Sequence, residues 1–379
     1  MDFDFIVVGA GIAGASICYE LAQNGRVCLL DAEAQPGFHA TGRSAALFAP
    51  SYGGAEFRAL TRLSRSFYNS PPQGFCNRPL LRQRGCLYVA RSDQLQQLGI
   101  MSAEIRASGG HFADLSKGDA IALVPLLRDG YLAAAAFDAD AMDIDVDGLL
   151  QGFLRGARAA GSRFLPDSRV TAVRHRGGFW EVDARHGKLR APVLVNAAGA
   201  WADEIAVISG ARPVGLQPMR RTAALIDMPP GVAIQSWPAV IDVDEQFYFK
   251  PEAGKLLLSR ADETPSQPCD AQADDLDVAI SVDRVEAALN INVRSVSHSW
   301  AGLRTFAPDR APVVGFDPQL DGFFWCAGQG GYGIQTAPAM GRIAAMLARR
   351  EPLQADARSA GLVEAKLSPL RFAVNVIAR

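Results

Sequence analysis

The sequence predicts an α/β protein of two domains. One is a Rossmann-like domain on a parallel sheet opened by a GxGxxG turn; the other is α+β, built on an antiparallel sheet. Three observations predict this. An apolar run, Phe3–Val8, enters Gly9-Ala10-Gly11-Ile12-Ala13-Gly14, and a helix-patterned segment follows. Alternating stretches, Gln246–Lys250 and Lys255–Ser259, read as antiparallel strands. At roughly 150 residues per domain, the 379 residues suit two or three domains.

Taken in order, Phe3–Val8 is β-branched and aromatic, as in a buried parallel strand. Gly9 makes the tight turn, Gly11 lets a pyrophosphate approach the backbone, and Gly14 lets helix pack on strand. Ile12 and Ala13 lie where a helix N-terminus favours phosphate. Helical spacing over Ala15–Asn24 ends at Gly25, and a second strand, Arg26–Leu30, runs into Asp31 and Ala32. Asp31 suits a ribose diol and repels a 2′-phosphate, so the unit reads as a dinucleotide site. Thr41-Gly42-Arg43-Ser44-Ala45-Ala46 is a small polar turn read as opening a helix, with backbone N–H groups and hydroxyls for a ligand. Asp93–Ser108 reads as an amphipathic helix with Leu95, Leu98, Met101 and Ile105 on one face. Asp138–Asp147 lacks the sixth-position glycine and closing glutamate of a calcium loop, and is read as a turn before a helix at Gly148. Ala191–Ala202 is an apolar strand that breaks into small residues, including Ala198, Gly199 and Trp201. Gly328–Gly341 is a second glycine-rich loop entering a helix.

Composition excludes several classes. A net charge of −2 leaves no basic excess to draw in nucleic acid. Only five of the 38 basic residues are lysines, which we read as background bias. The six cysteines show neither zinc nor disulfide spacing, so reduced thiols and a cytoplasmic location are expected. Asp2 and Asp4 stand where a signal peptide needs positive charge, and no run is long enough to span a membrane. The five histidines (His39, His111, His175, His186 and His298) form no catalytic or metal set, and no metal is expected.

The motif order GAGIAGAS, AQPGFHATGRSAA, LVNAAGAWAD, GLQPMRR, DEQFYFKP, WAGLRTF and QGGYGIQT resembles the FAD-dependent D-amino acid oxidase superfamily nearly end to end. That superfamily includes glycine and sarcosine oxidases, and the D-arginine dehydrogenase pattern is the nearest. The resemblance implies two discontinuous domains: an FAD domain of residues 1–80, 145–215 and 300–379, and a substrate domain of 81–144 and 216–299. It implies oxidation of a small amino acid or amine by hydride transfer from Cα to flavin N5, giving an imino acid and then a 2-oxo acid. The electron acceptor, oxygen or a quinone or dye, stays open.

By the same resemblance, Arg304 (GLRTF) and Arg221 (PMRR, beside Arg220) grip the substrate carboxylate; a planar guanidinium suits its two oxygens. Tyr248 donates a hydroxyl to it, Tyr52 covers the substrate, and the Gly302 and Gly331 backbones contact amine or flavin. Val170, Gly330, Tyr332, Gly333, Ile334 and Gln335 join the cofactor set. No cysteine lies in Ala301–Arg304, where the sarcosine oxidases attach flavin, so non-covalent FAD is expected. Cys86 stands where the D-arginine pattern has an acid, and Leu47 where it has a histidine. A substrate guanidinium left unpaired there would cost several kcal/mol, so a neutral or hydrophobic D-amino acid or small secondary amine fits better than a basic one. The alternatives are an FAD-dependent 2-hydroxy acid or glycerol-phosphate dehydrogenase, and a flavin-binding scaffold without catalysis.

Overall fold

The computed structural model describes residues 2–107, 110–185 and 187–373, so Ser108 and His186 lie outside the described residues. Its first sheet has six strands in the order Val313–Phe316, Phe323–Ala327, Val193–Asn196, Phe5–Val8, Val27–Leu30 and Arg163–Leu165. All neighbours are parallel except the first pair. Alternation gives each strand two buried faces. Val7, Leu29, Val195 and Phe324 pack on helices Ile12–Ala22, Val146–Ala159 and Gly333–Ala348. Ile6, Cys28, Leu194 and Phe323 pack towards the three-stranded meander of residues 172–191.

The GxGxxG turn is set by two close approaches. Gly9 has φ +99°, and a Cβ there would stand 2.5 Å from the Ala197 carbonyl oxygen. A Cβ on Gly14 would stand 1.7 Å from the Gly9 oxygen. The helix opens at Ile12, three residues earlier than the spacing predicts, because Thr41 caps it from outside: its Oγ1 accepts the Ile12 N–H at 3.0 Å.

The expected helix after Thr41–Ala46 does not form. With Thr41 committed to Ile12, the chain turns through Gly42 N–H to Gly37 C=O (2.7 Å) and Ser44 N–H to Thr41 C=O (3.3 Å). It then extends into the short strand Leu47–Phe48, and the next helix is Ala55–Asn69. The helix over Leu95–Ala107 does form, burying Leu98 and Ile105 but leaving Leu95 exposed. Asp145 caps Val146–Ala159, accepting the Gly148 N–H at 2.8 Å.

The second, larger sheet is antiparallel except where Ala239–Asp242 runs parallel to Cys86–Ala90. Its longest ladder joins Gln217–Ile226 to Val296–Phe306. Lys250 fastens this sheet to the small one that holds Met142–Ile144: its Nζ meets Asp143 at 3.1 Å, with both side chains nearly buried. Arg84 grips the same carboxylate at 2.6 Å. Burial alone would raise the Asp143 carboxyl, but these two cations outweigh it and hold it below its usual value.

Helix Gly333–Ala348 is almost wholly buried and contains Pro338. Proline lacks the N–H that would bond the Ile334 carbonyl. The Tyr68 hydroxyl, from helix Ala55–Asn69, donates to that carbonyl at 2.5 Å instead. Among the described residues no helix is long and apolar enough to cross a membrane. Tyr68→Phe leaves this buried carbonyl without a donor and is expected to cost about 1–3 kcal/mol in denaturant unfolding of the protein; an unchanged midpoint would refute the role given to Tyr68.

Candidate active site

A single cleft crosses the parallel sheet and reaches the large mixed sheet. On the side of strand Val27–Leu30 it is lined by Asp31, Ala32 and Val170, then by Gly9, Gly11, Ile12 and Ala13 of the turn. Thr41, Arg43, Ser44 and Ala45 form another stretch of wall, and Ala198, Gly199 and Trp201 another. Gly330, Gly331, Gly333 and Ile334 line it after strand Phe323–Ala327. Gly302, Arg304, Arg221 and Tyr248 line it from the mixed sheet.

Six predicted residues do not line this cleft. Gly14 and Gly42 serve backbone packing, each too close to a carbonyl oxygen for a side chain. Ala46 packs on the helical core. Gln335 is buried and its Oε1 accepts the Ala49 N–H at 3.2 Å. Tyr52 and Tyr332, with ring centroids 5.2 Å apart, line an adjoining cavity with Tyr88, Arg58 and Glu245. Cys86 is wholly buried and reaches neither space; Tyr88, two residues along on the same face of its strand, lines the cavity instead. Leu47, Cys86, Tyr88 and Tyr52 share one apolar cluster.

Local chemistry divides the lining residues by what they have left to offer. Asp31 already accepts the N–H groups of Ala10 (2.5 Å) and Glu33 (2.9 Å), so it holds the glycine turn while facing the cleft. Burial raises its carboxyl, and these bonds offset only part of that. Arg43 spends its guanidinium on the carbonyls of Ala271 (2.8 Å) and Ala301 (3.0 Å) and on Asp270, and so fixes the wall. At the helix N-terminus, Thr41 takes the Ile12 N–H, while the Ala13 N–H has no acceptor among the described residues.

The two arginines are set by register. Arg221 stands opposite Gly302 and Arg304 opposite Met219, so Arg221 and Arg304 are diagonal neighbours on one face. Arg220, on the other face, is bound to Asp277 (3.0 Å) and Asp274 (3.4 Å). Arg221 is buried, its Nε donating to the Asp262 carbonyl at 2.7 Å and its Nη2 lying 3.4 Å from Glu263. Arg304 has no hydrogen bond or ion pair among the described residues, and a Cβ on Gly331 would stand 2.8 Å from its Nη1. Burial works against its charge, but Tyr52, Tyr248, Tyr332 and Glu245 outweigh this and raise its pKa further.

Sequence reasoning missed several wall residues. Glu33 and His39 pair at 3.0 Å beside the cleft, and Ser168 and Arg169 precede Val170. Glu33, Ser168 and Arg169 lie in no motif, and His39 lies within AQPGFHATGRSAA without having been assigned a role. Thr305 lay within GLRTF and was passed over; its buried Oγ1 lines the cleft with no partner among the described residues.

These features fit an extended dinucleotide carrying a flat ring system. The cradle is open at Gly11, where a Cβ would meet only Thr41 Oγ1 at 3.3 Å. The Ala13 N–H is free for phosphate, and an orphan hydroxyl waits at Thr305.

Comparison with known proteins gives the same answer. The glycine oxidase of Geobacillus kaustophilus is 25% identical over 378 residues, covering 93% of this chain and 95% of that one. Mouse mitochondrial sarcosine dehydrogenase is 26% identical over 277 residues; the match covers 69% of this chain but only 30% of that longer protein. The crystal structure of L-proline dehydrogenase from P. horikoshii superposes with a TM-score of 0.84 at 20% identity, covering 98% of each chain. The family described as FAD dependent oxidoreductase (DAO) matches residues 4–347. The chain therefore belongs to the DAO family of FAD-dependent oxidoreductases.

Proposed function

We propose that the protein oxidises the Cα–N bond of a neutral or hydrophobic D-amino acid, or of a small secondary amine, to an imino acid that hydrolyses to the 2-oxo acid. The observation that carries this reading is Arg304, a guanidinium with no hydrogen-bond or ion-pair partner among the described residues, lying against Gly331 in the cleft. A half-buried cation with no hydrogen-bond or ion-pair partner among the described residues calls for an anionic ligand, and a planar fork suits a carboxylate. Arg221 stands on the same face to take the second oxygen, and Tyr248 lines the same wall. The relatives named for glycine and sarcosine support an amine bearing a carboxylate. The D configuration rests on the motif resemblance. Preference for an uncharged side chain rests on Tyr52, Tyr88, Met101 and Ile241, which line the adjoining cavity.

In this reading the cofactor half comprises residues 1–80, 145–215 and 300–379, and the substrate half 81–144 and 216–299. Bound FAD supplies the hydride acceptor. The protein's part is to fix the carboxylate with Arg304 and Arg221, so that Cα–H is presented in one orientation. Tyr52 and Tyr332 close the cleft from the adjoining cavity and exclude water. Among the described residues no carboxylate forms an ion pair with Arg304, which leaves room for the substrate carboxylate as its direct partner. The six free thiols suit a reducing cytoplasm.

Anaerobic mixing with D- and L-amino acids, secondary amines and 2-hydroxy acids tests the reading. Flavin bleaching by neutral D-amino acids, sarcosine or proline is expected; bleaching by hydroxy acids alone would sink it. D-Arginine outpacing D-leucine would overturn the side-chain preference and point to Glu245. Arg304→Ala is expected to raise KM roughly 100-fold with flavin retained. Gly331→Ala should move KM the same way, through displacement of the Arg304 guanidinium. If acid precipitation leaves the flavin in the supernatant, attachment is non-covalent; a yellow pellet would implicate Cys269 or Cys326, the two thiols lining the cleft.

A further inference from the structure

Arg221 is not a free cation. The segment that passes beside it is locked in place. Asp262 is buried and accepts the Thr222 N–H at 2.9 Å and the Thr222 hydroxyl at 3.2 Å, while its carbonyl accepts from Arg221 Nε. Thr264 then pairs with Arg220 in the sheet. Between these two anchors the Glu263 carboxylate stands 3.4 Å from Arg221 Nη2. From its far side Arg310 holds both Glu263 oxygens, at 2.9 and 3.0 Å, with its own guanidinium stacked 3.9 Å over the Phe306 ring. Phe306 ends the strand that carries Arg304. Of these groups Arg221 and Arg304 line the cleft; Arg221 already faces the carboxylates of Glu263 and Asp262 behind the wall, and Arg310 shares Glu263 with it.

We propose that Glu263 is a specificity-determining positioning residue: by neutralising and orienting Arg221 it restricts the cleft to ligands with one carboxylate and disfavours dicarboxylates. This deepens the amine-oxidation reading and rests on it, because the ligand must be a carboxylate. A second carboxylate on the ligand would have to be desolvated beside Glu263 with no cation left free to receive it. Removing the Glu263 charge exposes Arg221 and gives the site a second free cation. Removing Arg310 instead leaves Glu263 more strongly negative towards the ligand.

The test is equilibrium binding to the oxidised holoenzyme, using acetate and malonate as probes and calorimetry or flavin absorbance as the readout. The natural protein is expected to bind acetate at least as tightly as malonate. Glu263→Gln is expected to shift the ratio about tenfold towards malonate, the size of one added unit charge at partly solvated range. Glu263→Asp should keep the natural ratio, and Arg310→Gln should shift it the opposite way. An unchanged ratio in both Glu263→Gln and Arg310→Gln overturns the proposal and leaves the carboxylate reading standing. Absence of binding by either probe to the natural protein overturns both. Should Glu263→Gln fail to fold, the direction of the Arg310→Gln shift decides alone.

Discussion

The rest of the site depends on one antiparallel ladder, Gln217–Ile226 against Val296–Phe306. Its register puts Arg221 and Arg304 on one face and Arg220 on the other; a slip of one residue on a single strand would reverse that strand's faces. The same strand ties the two sheets together. The Ala301 carbonyl receives Arg43, the Trp300 Nε1 donates to the Arg43 carbonyl at 2.9 Å, and Phe306 bridges to Gln329. Arg43 thereby works at both ends of its residue, side chain and backbone, on one neighbouring strand. These bonds join the wall beside the glycine turn to the strand that carries Arg304.

Burial of charge is used sparingly and in company. Lys250, Asp143 and Arg84 form a nearly buried cluster where the small sheet meets the large one. Such a cluster adds little net stability over apolar packing, but losing one member strands the others, and that favours a single docking arrangement. Arg304 is the contrasting case. Its surroundings are three tyrosines, a glycine and, without a direct ion pair, Glu245.

Much of this was legible in the sequence where contacts are local. The strand, glycine turn and helix of the first thirty residues follow from periodicity and from positions that leave no room for a Cβ. The cofactor segments were legible as motifs because small residues cluster where a ligand approaches. What was not legible depends on long-range partners. Thr41 looked like a helix start, yet its hydroxyl serves a helix 29 positions back. Arg43 looked available to a ligand, yet its acceptors include Ala271 and Ala301. Cys86 looked like a pocket residue, but the pleat turns it into the core and leaves Tyr88 facing the cavity. The choice between Arg220 and Arg221 was likewise invisible until the pairing register separated their faces.

Thr41 carries one more consequence. Because the protein's own hydroxyl caps the first donor of helix Ile12–Ala22, and Asp31 braces the turn beneath it, the phosphate cradle is assembled from internal bonds alone. Little ordering is then left for the moment a dinucleotide arrives. The turn is thus a socket shaped by the chain itself, braced from two segments that lie far from it in sequence.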